Sequence, residues 1–216
     1  MIKTHKWQVT ITSIVVLLPA LAGLLLWNRL PDSMATHFNA EGVADGWSSR
    51  AFAVLGIPAY SLGLHWLCLL LTAAGPKSEN IRGKAFSMMI WLCPVISIFS
   101  GIMTIGYGLN RELNIAIIAP AASGLLFLIV GNYLPKCRQN YYLGFKLPWT
   151  LNSEENWNHT HRVAGNVMMV SGLLLLGNIF LGVTWVYVVI IVLMVLIPGI
   201  YSYWYYRTKE KNHAEH

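Results

Sequence analysis

Residues 7–27 read WQVTITSIVVLLPALAGLLLW, with no charged side chain between the two tryptophans. At about 1.5 Å rise per residue, some twenty residues make a helix of roughly 30 Å, which matches the hydrocarbon core of a bilayer. Trp7 and Trp27 then fall at the two interfaces, where amphipathic rings settle. The basic start (Lys3, His5, Lys6) and Ala20-Leu21-Ala22 also suit a cleavable signal peptide. The apolar run continues past that site and further spans follow, so a retained first span is expected.

Working outward, apolar runs recur at about 51–74, 85–109, 114–134, 163–183 and 185–206, with the first extending over 7–29. Each has spanning length. Hydrophobic residues are 56% of the 216 positions and charged residues 11%, against about a quarter charged in soluble domains. The expectation is an all-α polytopic membrane protein: a six-transmembrane-helix bundle forming a single transmembrane domain over 1–216. Pro19, Pro58, Pro94, Pro120 and Pro198 lie inside the runs, where neighbouring helices can satisfy freed carbonyls, and they predict kinks. Gly101, Gly106 and Gly108, and Gly172, Gly177 and Gly182, are expected at close helix contacts.

Orientation follows from the cations. Lys3, Lys6, Lys77, Arg82, Lys84, Lys136, Arg138, Lys146, Arg162, Arg207, Lys209 and Lys211 fall on one side, and only Arg29, Arg50 and Arg111 on the other. The positive-inside rule then puts both termini in the cytoplasm (N-in/C-in), with an outer loop at 30–50 and a cytoplasmic loop at 135–162, in a multi-pass inner-membrane protein. The net charge of +6 is explained by topology, and no direct nucleic-acid binding is expected. Three cysteines, Cys68, Cys93 and Cys137, suggest no disulfide framework. The chain carries no nucleophile triad, HExxH pair or phosphate loop, so neither enzyme activity nor a cofactor or metal is expected.

The outer loop, LPDSMATHFNAEGVADGWSSR, is dense in turn formers. Asn39 to Gly42 and Asp45-Gly46 are expected to make tight turns, with Trp47 and Arg50 anchoring the loop at the interface. His37 near Asp32, Glu41 and Asp45 is a conceivable acid/base or metal cluster, but the spacing matches no metal motif. In the cytoplasmic loop, Ser153 before Glu154-Glu155 reads as a helix N-cap with acids at the positive end of the dipole. A short amphipathic helix there would present Trp157 to lipid and lead through His161 into the fifth span. His159 and His161, two apart, do not share a helix face. His161 and Arg162 suit loop closure, a lipid phosphate or a partner. His65 and Asn178 are the deepest polar residues in the spans, and bonding across helices is the favoured account of them.

Both loops resemble the SdpI-type immunity family of bacterial membrane proteins. The likeness rests on Leu30-Pro31, His37-Phe38-Asn39, Gly42 and Asp45-Gly46 outside. Inside, it rests on Asn140, Gly144, Pro148-Trp149-Thr150-Leu151, Trp157, Thr160-His161-Arg162 and Gly165. Lys146 stands where that pattern has arginine, which keeps the charge and loses the bidentate fork. The resemblance implies protection against a secreted, membrane-active toxin peptide and sequestration of a soluble transcriptional repressor at the cytoplasmic face. His37, Asn39, Gly42, Asp45 and Gly46 would serve the first role. Asn140, Gly144, Pro148, Trp149, Thr150, Trp157, His161 and Arg162 would serve the second, with membrane lipids as the remaining partner. Two alternatives are a small-molecule or lipid carrier with a polar cavity at His65 and Asn178, and an intramembrane metallohydrolase using His37 or His161.

Overall fold

The computed structural model describes residues 3–81, 83–109 and 113–210; Arg82, Arg111 and Lys211, which entered the charge count, lie outside them. Among the described residues, six helices are long and apolar enough to cross a membrane. They are α1 (Lys6–Leu25), α2 (Ile57–Ala74, entered through a π-turn at Phe52–Gly56), α3 (Lys84–Leu109), α4 (Ile115–Tyr133), α6 (Glu154–Leu181) and α7 (Trp185–Tyr205). The short helix α5 (Pro148–Asn152) precedes α6. Large apolar side chains lie uncovered along the helices, with Phe180 90% exposed and Ile200 65%. Such surface is stable when the solvent is lipid. The polytopic helical fold is as expected.

The chain divides into two compact units, residues 1–74 with 86–119, and residues 75–85 with 120–216. In the first, α1 packs on α2. A β-carbon added to Gly23 would lie 2.6 Å from Val54 Cγ1, and one added to Gly101 would lie 2.5 Å from Pro19 Cβ. Both glycines allow close backbone approach. Ser97 Oγ donates to the Val16 carbonyl at 2.8 Å, in the turn that Pro19 loosens. Residues 33–49, expected as turns, form an antiparallel hairpin of β1 (Ser33–Phe38) and β2 (Ala44–Ser49). Met34 and Leu30 bury against Ala53, Val54 and Ile105 beneath it.

In the second unit, α4 and α6 meet at two glycine pairs. An added β-carbon would lie 2.9 Å from the Gly172 carbonyl at Gly124 and 2.8 Å from the Gly165 carbonyl at Gly131. Of the glycines singled out in sequence, Gly101 and Gly172 are at such contacts. Gly177 has nothing within 4 Å. Gly182 ends α6 in the left-handed conformation at φ 63°, a capping role that needs no neighbour.

Candidate functional site

The two extramembrane loops are both built segments. At the hairpin tip, Asn39 Oδ1 accepts from Val43 N at 2.8 Å and from Glu41 N at 3.2 Å. Gly42 at φ 76° completes the reversal, packed on Ala116. Asn39 to Gly42 therefore turns as expected. Asp45-Gly46 does not, because both residues lie within β2. Gly46 stands opposite His37, where a β-carbon would come within 2.7 Å of His37 Cβ. Across the strands His37 Nδ1 meets Asp45 Oδ1 at 2.6 Å, with the His37 side chain 72% exposed. Among the described residues no three metal-ligating side chains gather here or elsewhere. Arg50 donates to the Trp27 carbonyl at 2.7 Å, pairs with Asp32 and lies 5.1 Å over the Trp27 ring. It ties the foot of the hairpin to the end of α1, and Trp47 rests edge-on against Tyr107.

The second loop is held from inside. Asn140, 1% exposed, accepts from Tyr142 N at 2.8 Å and Leu143 N at 2.7 Å, and donates to the Arg138 carbonyl at 2.8 Å. That side chain substitutes for a backbone turn. Gly144 has φ 103°, and a β-carbon there would strike His161 Nε2, so conformation and space both require glycine. Pro148 opens α5. Thr150 sits at its third position, where Oγ1 accepts from Leu147 N at 2.9 Å and donates to the Phe145 carbonyl at 2.7 Å. Ser153 caps α6 by accepting from Asn156 N at 3.2 Å, with Glu154 and Glu155 in the first turn, as the dipole favours.

His161 is fully buried. Its Nδ1 lies 2.8 Å from the Trp157 carbonyl, and its Nε2 lies 3.1 Å from the Phe145 amide. A carbonyl only accepts and an amide only donates, so these contacts fit the neutral Nδ1–H tautomer alone. Trp157 is also fully buried, stacked on His161 at 3.9 Å and donating from Nε1 to the Cys137 carbonyl at 2.8 Å. Trp157, expected against lipid on a short amphipathic helix, lies inside the protein. The helix is instead continuous from Glu154, and its 157/160/161/164 stripe faces the protein, following the i, i+3, i+4 rule. His159 stacks on Tyr205, away from His161. Asn156 Nδ2 donates to the Ser202 carbonyl at 3.2 Å and its Oδ1 accepts from Thr160. Trp149 donates to Ser202 Oγ and packs on Tyr203 and Tyr206. Arg162 is exposed.

Gln139 is a residue of the candidate loop that sequence reasoning missed. Its amide donates to the Thr150 carbonyl at 2.7 Å and accepts from Lys77, while its own carbonyl accepts from Asn80 at 2.7 Å. No local pattern marks it, because its partners lie far away in sequence. Deeper in the spans, His65 Nε2 meets Thr12 Oγ1 at 3.2 Å across α1 and α2. Asn178 bonds within its own helix end, to Val183 N and O, rather than across helices.

Residues 136–202, covering most of this loop and the last two spans, match the SdpI/YfhL protein family. Residues 14–62, covering the first span and the hairpin, match a domain of unknown function, DUF1648. The chain is 26% identical over 201 residues to the immunity protein SdpI of Bacillus subtilis, covering 91% of this chain and 95% of that one. No solved structure matches. Over most of its length, this multi-pass protein of the bacterial inner membrane is similar to an SdpI-type immunity protein.

Proposed function

We propose that this chain is an immunity protein that shields its cell from a secreted, membrane-active toxin peptide, acting by binding and without catalysis. The observation that carries the reading is the similarity to SdpI over 91% of the chain, which takes in both folded loops. In the N-in/C-in orientation given by the cation count, the hairpin lies outside. Its exposed His37–Asp45 pair and the turn at Asn39 and Gly42 form the face that meets the peptide. The second loop lies in the cytoplasm. Buried Asn140, Thr150, Trp157 and His161 position it, and exposed Tyr141, Lys146 and Arg162 form a docking face for a soluble transcriptional repressor.

The test is expression in a toxin-sensitive bacterium, with a voltage-sensitive dye read after adding the sporulation-delaying toxin peptide. Preserved membrane potential is expected for the intact chain and for Arg162→Ala, and partial collapse for His37→Ala with Asp45→Ala. Collapse equal to the empty vector, with the intact protein present in the membrane, would overturn the proposal.

A further inference from the structure

Where the segment after α2 meets the start of α3 and the end of α4, the second unit contains an open cavity of about 420 Å³. Lys84, Lys136, Arg138, Glu79, Asn80 and Tyr133 are among its lining residues. Among the described lining residues, three cations face one carboxylate in that space. Lys84 and Arg138 are exposed, and among the described residues neither side chain has a hydrogen-bond or ion-pair partner. Lys136 leans over the Tyr133 ring at 5.2 Å and donates to Asn132 at 3.3 Å, so its ammonium is held at the cavity with donor capacity to spare. The floor is built: Asn80 is tied to the Gln139 carbonyl, and Cys137 is buried. The cavity opens at the ends of spanning helices, where lipid headgroups lie.

We propose that this cavity binds the phosphate of an anionic phospholipid headgroup. Lys84, Lys136 and Arg138 hold the phosphate oxygens, and Tyr133 packs against the glycerol. A basic recess at helix ends concentrates anionic lipid, because each cation near the surface adds attraction that salt weakens. Glu79 sets the upper limit of affinity by opposing the same charge.

The test uses the full chain in neutral detergent, with thermal unfolding followed as short-chain phosphatidylglycerol, phosphatidylcholine or sodium phosphate is added. Phosphatidylglycerol is expected to raise the unfolding temperature, and phosphatidylcholine and inorganic phosphate are not. Lys84→Gln with Arg138→Gln is expected to shift the half-saturating lipid concentration about tenfold upward. Glu79→Gln is expected to shift it downward, a gain that a misfolded variant cannot give. Lys146→Gln, outside the cavity, leaves it unchanged. Equal stabilisation by inorganic phosphate would overturn the lipid assignment. An unshifted midpoint in both the Lys84/Arg138 and the Glu79 variants would overturn the site.

Discussion

Both ring nitrogens of His161 are committed, one to the Trp157 carbonyl and one to the Phe145 amide. His161→Phe keeps an aromatic ring on Trp157 and deletes both bonds. It is expected to cost about 2 kcal/mol, the penalty for leaving buried polar groups unpaired, seen as a lower unfolding temperature in detergent. Unchanged unfolding would mean that the ring does not hold the loop. Cys137 is buried, with its thiol directed at the Tyr133 carbonyl, and burial pushes the thiol pKa up. A raised value keeps the unreactive protonated form through neutral pH and into the mildly alkaline range. Maleimide is therefore expected to label Cys137 slowly at pH 8 in the native protein and rapidly after denaturation. Equal native and denatured rates would contradict that burial. The loop's likeness to the SdpI/YfhL family was legible in its unusual Pro-Trp-Thr-Leu and His-Arg pattern. The inward direction of Trp157 was not, because its indole partner is a carbonyl 20 residues away, and sequence spacing carries no mark of such a bond.

At the scale of elements, α4 and α6 depend on glycine where their backbones nearly touch. Gly172→Leu would drive a branched side chain into the Gly124 carbonyl and Leu128, and is expected to cost about 3 kcal/mol or more. Gly177→Ala meets no atom within 4 Å and is expected to be neutral or stabilising by up to about 1 kcal/mol. Thermal unfolding of the pair in one detergent decides, and similar losses in both would mean that glycine acts here through something other than contact. The spans were legible because lipid imposes one long apolar run per helix. The glycine contacts were legible only in part, because a glycine reads the same whether it faces a helix, caps one or faces open space. The hairpin was hidden for a related reason. Asp and Gly are poor strand formers, yet Gly46 belongs in β2 because His37 fills the space opposite.

For the whole molecule, orientation rests on charge rather than on packing. A phosphatase active only outside the cytoplasm, fused after residue 41, is expected to be active, and the same enzyme fused after residue 209 to be inactive. The reverse pattern would invert the roles assigned to the two loops. The order in which the chain is made adds a further consequence. Lys77 and Asn80 lie between the second and third spans, but both are tied to Gln139, beyond the fourth. A ribosome feeding this chain into the bilayer therefore releases the 75–85 segment about sixty residues before its partner exists. At some 5–20 residues per second, that segment waits several seconds unfastened. Until that one glutamine emerges, the segment lacks the partner that fastens it.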